Sequence, residues 1–385
     1  MHVGFSLLTL FPGRVGGSEA NVQGLLAEFA AGNGPAEVTV LANAPVMDAY
    51  AGRFGPPVAL HRVDAYRQGD GSITRLAAMT AAAIAPGRVA RAVPSDLDVL
   101  HHPVTVPIPR LSGVPTLTTV YDLQHREMPG LFSRAERAYR RWAYEGAARK
   151  ADLVLTTSEY SRTRLVELAG VSQAQVFSVP MGIDHGRFNH TETETDEQVR
   201  RELKLPGRYI VYPANMWAHK NHNRLIEALG HVDDDELHLV LTGQNYGRAR
   251  TLMQRARGAG VADRVRHLGY ISSGAVPALY RMARAMVFPS LYEGFGSPPL
   301  EAMACGCPVA SSTSGSLAEM VESAALTFDP RSVEAIADAI GRVVDDDRLR
   351  AELRREGLSW AARFTWEKAA RRHVELYARA AESAA

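Results

Sequence analysis

Residues 284–310 read RAMVFPSLYEGFGSPPLEAMACGCPVA, and the order of residue types in this stretch decides the fold. Ala285 to Phe288 is a short apolar run with the make-up of a buried strand. Glu293-Gly-Phe-Gly296 supplies the glycines of a tight loop, and Pro298-Pro299 opens a helix that carries Glu301, Ala302 and Met303. Proline suits a helix start because the N–H it lacks would have no partner there. Gly306 and Pro308 end the helix, and Val309-Ala310 begins another strand. This order sets a glycine loop and a helix N-terminus at the carboxyl edge of a parallel sheet, where open α/β sheets bind ligands. The exposed amides and the helix dipole at such an edge favour an anion. Two carboxylates flank the loop, Glu293 before the glycines and Glu301 in the first turn of the helix. A carboxylate offers about four lone-pair sites to sugar or ribose hydroxyls.

The run E-G-F-G-x-P-x-x-E-A-M-A-x-G-x-P-V, with its two glutamates and this filling, resembles the signature of the family 4 retaining glycosyltransferases, which have the GT-B fold. The resemblance implies an α/β chain of two Rossmann-like domains facing a cleft. Residues 1–186 would form the acceptor domain and 187–365 the nucleotide-sugar donor domain. The last helix, within 366–385, would pack back onto the first. It further implies transfer of a sugar from a nucleotide diphosphate sugar to an acceptor hydroxyl, with the anomeric configuration retained.

Composition is compatible with this reading. At 385 residues the chain is too long for one average core, and two domains are the default. A formal net charge of +1 argues against wholesale nucleic-acid binding. No apolar run approaches the ~18 residues of a membrane span. The start, Met-His-Val-Gly-Phe-Ser-Leu-Leu, lacks a basic region and reads as a first strand rather than a signal peptide, so a cytoplasmic protein is expected. The two cysteines, Cys305 and Cys307, lie inside the signature and read as small buried residues.

Upstream, a strand at Val3–Leu8 leads into a loop over Thr9–Gly17 and a helix at about 18–30 with Val22, Leu25, Leu26 and Phe29 on one face. Gly16-Gly17 lets bare backbone approach a diphosphate, though taken alone the pair is as consistent with a plain turn. Its place matches the family's first Gly-Gly loop. Strands follow at 37–41, 58–63, Asp98–His101 and Thr116–Tyr121. The last of these runs into Tyr121-Asp-Leu-Gln-His125. Many relatives hold His-Asp-Leu there; this chain has Tyr121 in place of the histidine, keeps Asp122, and brings a histidine in at His125. By resemblance Asp122 and His125 are candidates beside the transferred sugar, and the Tyr-Asp-Leu-Gln-His form is similar to that of mannose-transferring relatives. Residues 131–150 read as a helix rich in arginine and aromatics. A solvated helix with snorkelling arginines is the simpler reading, and a weak peripheral contact with the inner membrane face the sharper one. Residues 185–207 are polar and are expected to connect the domains.

In the second half, strand Tyr209–Pro213 is followed by Ala214-Asn-Met-Trp-Ala-His-Lys220 and a helix from about 223. A lysine above a helix N-terminus can neutralise a diphosphate as a point charge. Lys220 matches the lysine of the family's basic pair, while Asn215 stands where relatives carry the arginine. Tyr270-Ile271 sits where relatives hold the nucleotide base, largely through backbone groups. The roles implied by resemblance are therefore as follows. Lys220, with the amides of Gly16, Gly17, Gly294, Phe295 and Gly296, takes the diphosphate charge. Glu293 faces the transferred sugar, and Glu301 the ribose diol. No Asp-x-Asp motif ends a strand, so no metal or other cofactor is expected. GDP-mannose is slightly favoured as donor, and nothing identifies the acceptor. The rivals are a nucleotide-sugar epimerase of the same fold and a catalytically silent nucleotide-sugar-binding protein.

Overall fold

Strand β1 (His2–Ser6) is buried along its whole length, as a strand covered on both faces is. The computed structural model describes residues 1–13, 16–66 and 86–383. Residues 14 and 15 of the expected Thr9–Gly17 loop therefore lie outside the described residues. The chain divides into two units, residues 1–182 with 366–385, and residues 183–365.

In the first unit β1 is followed by β2 (Glu37–Ala42), β3 (Val58–Arg62), β4 (Val99–His102), β5 (Thr116–Thr119), β6 (Leu153–Thr156) and β7 (Val176–Ser178). They form one parallel sheet in the order β3-β2-β1-β4-β5-β6-β7. Successive side chains of a strand point to opposite faces. Phe5 joins Leu25, Leu26 and Phe29, and the last helix adds Ala370, Leu376 and Tyr377 to the same cluster. A second cluster contains Leu8, Leu41, Leu100 and Ile108. The helix Trp366–Glu382 belongs to this unit and packs against the helix Gly17–Glu28.

The second unit holds β8 (Tyr209–Pro213), β9 (His238–Thr242), β10 (Val265–His267), β11 (Ala285–Phe288), β12 (Val309–Ser312) and β13 (Leu326–Phe328). Their order is β10-β9-β8-β11-β12-β13, again all parallel. Each sheet is thus wound outward in both directions from a central pair, β1/β4 in the first and β8/β11 in the second. The loops leaving such a pair part to opposite sides and open a crevice at the carboxyl edge.

Three expectations are corrected. Residues 134–150 are helical but not uniform, because a wide turn over Arg141–Glu145 interrupts the regular winding. The polar stretch 185–207 is not only a connection: it contains the helix Glu194–Glu202, capped by Thr193 and Asp196. Asp196 also takes two hydrogen bonds from Arg281, at 2.7 and 2.5 Å, which tie this helix to Val276–Met282. The boundary between units falls at 182/183, ahead of the expected 186/187, because Ile183 pairs in parallel with Thr365.

Candidate active site

The signature stretch forms as its residue types require. Strand β11 ends at Phe288, and the loop through Glu293 reaches Gly296, which adopts φ 101° and caps the helix Ser297–Ala304. Any side chain at Gly296 is strained by the backbone angle, and a Cβ, 2.6 Å from Leu317 Cδ2, would also require the leucine side chain to move. The neighbouring strand β8 ends at Pro213, and its loop carries Lys220. Because β8 and β11 are the central pair, both loops meet at the crevice. There Lys220 Nζ donates to Glu293 Oε1 at 2.6 Å, the two side chains being 17% and 14% exposed. Both retain a path to solvent, as a pair that meets a ligand must.

The surroundings fix each partner. The Tyr212 hydroxyl donates to the Lys220 carbonyl at 2.8 Å. The Leu291 amide donates to the His219 carbonyl at 2.7 Å, joining the two loops. Burial, and then the Lys220 charge, push the His219 imidazole down to about 4, so it is neutral near pH 7. His222 stacks on Tyr212 and points Nε2 at the Ala214 carbonyl, 3.3 Å away; its pKa of about 4 has burial as first cause. Glu293 is held from behind by the turn at 314–316. The Ser316 amide and hydroxyl donate to its carbonyl at 3.1 and 3.0 Å, and the hydroxyl also reaches the Phe295 carbonyl at 2.8 Å. Phe295 is buried against Phe364.

Glu301 sits in the first turns of the helix Ser297–Ala304. Burial pushes its carboxyl up to about 7, against the opposing pull of the Arg187 guanidinium and the Tyr280 hydroxyl. Asn215 Oδ1 accepts from the Gln244 amide at 2.8 Å, so the residue standing at the expected arginine position bridges the β8 and β9 loops. Tyr270 is 75% exposed and Ile271 lies beside it, after β10.

The remaining candidates belong to the first unit. Gly16 caps the helix Gly17–Glu28, and nothing stands within 4 Å of a Cβ at either glycine, so the backbone is bare. Asp122 Oδ1 accepts from the Gln124 amide at 2.9 Å and starts the short helix Gln124–Glu127. His125 is buried, with Nε2 3.0 Å from Glu145 Oε1. Glu145 also takes a forked pair of bonds from Arg126 at 2.7 and 2.8 Å. Burial lowers the His125 pKa despite Glu145, whereas Glu145 itself, though burial pushes it upward, ends below the usual range because Arg126 and His125 bond to it. Tyr121 accepts from Asn21 Nδ2 at 3.1 Å and donates to the Pro103 carbonyl at 2.9 Å; burial raises its phenol.

Comparison with known proteins decides what this geometry belongs to. Residues 15–187 match the profile described as Glycosyltransferase Family 4, and residues 194–360 that of Glycosyl transferases group 1. The chain belongs to glycosyltransferase family 4. It is 28% identical to the O-antigen chain mannosyltransferase B of Escherichia coli over 76% of this chain and 77% of that one. It is also 28% identical to the mannosylfructose-phosphate synthase of Agrobacterium fabrum, over 59% of this chain and 53% of the other. Among solved structures, the sucrose-phosphate synthase of Thermosynechococcus elongatus superposes with a TM-score of 0.77 at 22% identity, covering 98% of both chains. The Anabaena protein Alr3699/HepE, in complex with UDP and glucose, gives 0.75 at 19% identity over 98% of this chain and 100% of that one. These neighbours place the fold in the GT-B class.

Several contacts in this glycosyltransferase's second unit are not legible in the sequence. Asn221, at φ 60°, pins the crevice by donating from Nδ2 to the Pro289 and Pro330 carbonyls at 3.0 and 2.8 Å. Arg187, inside the stretch read as a connection, acts on Glu301 through its charge and donates to the Ser273 carbonyl at 2.8 Å. Trp217 and Tyr246 stack with ring centroids 4.6 Å apart while staying 48% and 52% exposed.

Proposed function

We propose that this glycosyltransferase moves a hexose from a nucleotide diphosphate sugar, with GDP-mannose favoured, to an acceptor hydroxyl, retaining the anomeric configuration and using no metal. The observation that carries the reading is the Lys220–Glu293 pair at the carboxyl edge between β8 and β11, beside the N-terminus of the helix Ser297–Ala304. Before donor binds, the two charges neutralise each other. An arriving diphosphate draws the Lys220 ammonium, and the freed Glu293 carboxylate turns to the sugar hydroxyls and to positive charge developing at the anomeric carbon. Glu301 accepts from the ribose diol. With Lys220 and the amides of Gly294, Phe295, Gly296, Gly16 and Gly17 on the diphosphate, the leaving phosphate takes the acceptor proton on the face from which the acceptor attacks. Asp122 or His125 assists that transfer.

The name of the Escherichia coli relative supports mannose, and the Anabaena complex with UDP supports a nucleotide-linked donor. No helix among the described residues is long and apolar enough to cross a membrane. Trp142 is 58% exposed beside Arg141, which supports a weak membrane-surface contact through 131–150 at the cytoplasmic face.

The test is calorimetry of the purified chain with GDP-, UDP-, dTDP- and ADP-sugars, followed by NMR of the product anomer with and without EDTA. Binding of one donor class, a product with the donor's anomeric configuration and no effect of EDTA are expected. Absence of binding to every donor would remove the transferase reading of the site.

A further inference from the structure

The first unit contains a second concave site that the donor chemistry does not use. Strands β4 and β5 pair with His102 opposite Thr118. Their neighbours His101 and Thr119 bond to each other, and His101 also bonds to Tyr377 of the last helix. Strand alternation therefore sends His102 and Thr118 together to the other face of the sheet. There they line a pocket of about 380 Å³. Each is 1% exposed. Among the described residues, neither ring nitrogen of His102 nor the Thr118 hydroxyl has a hydrogen-bond partner. Buried polar groups are nearly always paired, so three such atoms on one pocket floor call for a ligand that supplies the missing partners.

The rest of the lining says what kind. Leu111, Val114 and Ala147 provide apolar surface, and the exposed Arg110 and Lys150 bring two cations. Among the described lining residues the carboxylate is Asp152, whose Oδ2 accepts from the Thr116 amide and hydroxyl at 2.7 and 2.9 Å. Burial, with the Arg110 charge adding to it, pushes His102 down to about 3, so the imidazole is neutral and presents one donor and one acceptor. A hydroxyl matches each of these groups, and a phosphate or carboxylate matches Arg110 and Lys150. The volume lies in the range of small-molecule sites.

We infer that the pocket bounded by His102, Thr118, Arg110 and Lys150 binds a small phosphorylated polyol, of the sugar-phosphate class, with its hydroxyls on the histidine and threonine and its anion on the two cations. All the residues concerned lie in the first unit, whereas Lys220 and Glu293 belong to the second.

Titration calorimetry of the full chain with glucose 6-phosphate tests the proposal, with glucose and inorganic phosphate as part-ligands. One molecule of glucose 6-phosphate per chain is expected to bind, at least tenfold more tightly than either part-ligand. The Arg110→Ala/Lys150→Ala double variant, which alters exposed side chains only, should weaken binding tenfold or more. His102→Leu should abolish it, and Lys220→Ala should leave it intact. The ring nitrogen resonances of His102 should shift on addition of the ligand to the wild-type chain. No binding at millimolar ligand would overturn the proposal. So would binding that survives the double variant, or that disappears in Lys220→Ala, which would place the ligand in the second unit.

Discussion

Lys220 and Glu293 neutralise one another at 2.6 Å, and what happens when either is removed follows from that contact. In Lys220→Ala the diphosphate loses a charge-assisted contact worth roughly 1.5–3 kcal/mol, and Glu293 loses its counter-ion. Turnover is expected to fall well over tenfold, and Lys220→Arg should recover only part of it because a planar fork replaces a point charge. Steady-state kinetics of the two variants checks this, and unchanged turnover in Lys220→Ala would take the lysine out of the chemistry. Glu301 gives a pH prediction. Burial raises its pKa from the 4.5 of an ordinary glutamate to about 7, so between those values the folded chain holds a proton that the unfolded chain has lost. Its contribution to stability is full below pH 4.5, declines as pH rises through about 7, and is level above. Urea unfolding at pH 5 and pH 8 should show the wild type losing stability relative to Glu301→Gln over that interval. Donor affinity should run the other way. The ionised carboxylate accepts from the ribose diol, so affinity for a nucleotide sugar, whose phosphodiester does not titrate here, should rise from pH 6 to pH 8 and be flat in Glu301→Gln.

At the scale of elements, the turn 314–316 determines where Glu293 stands. Gly315 adopts φ 66°, and a Cβ there would lie 2.6 Å from the Glu293 carbonyl oxygen. Gly315→Ala therefore has to displace the Glu293 backbone, and a fall in turnover of tenfold or more is expected with native far-ultraviolet circular dichroism. Ser316→Ala removes two buried hydrogen bonds, at a cost of about 1–3 kcal/mol in urea unfolding. These elements were legible to different degrees. Strands β8 and β11 are fully apolar, and the glycines and prolines between 293 and 308 punctuate the chain where the loop and helix occur. Strand β13 has only three residues, too few to show a period, and was not anticipated. The helix Glu194–Glu202 has almost no apolar face; it is held by Arg281, 85 residues from Asp196, which no local pattern displays. The Lys220–Glu293 contact spans 73 residues in the same way: each end is legible in its own sheet-edge loop, and their meeting is not. His125 was legible as a residue but not as a buried partner of Glu145, because burial is decided by what packs over the strand end.

At the scale of the whole molecule, the chain leaves its first unit after Gly182 and returns to it at Trp366. The returning helix is part of the first unit's core rather than an appendage. Leu376, Tyr377 and Ala380 are buried among Phe29, Leu25 and the β1 side chains, and the Trp366 ring lies against Gly24. A buried polar anchor of this helix is the 2.8 Å hydrogen bond between the Tyr377 hydroxyl and His101 Nδ1. His101 is fully buried, and burial holds its pKa well below the usual value, so the ring is neutral and its second nitrogen is used by Thr119. Tyr377→Phe keeps the ring packing and strands a buried histidine nitrogen, for which the expected cost is about 1–3 kcal/mol. Because His101 and Tyr377 both lie in the first unit, the loss should appear as earlier urea unfolding of that unit while calorimetric affinity of the folded chain for the nucleotide donor stays unchanged. Donor affinity falling in step with stability would instead mean that the returning helix acts on the Lys220–Glu293 site, and that the two units do not meet their folding requirements separately.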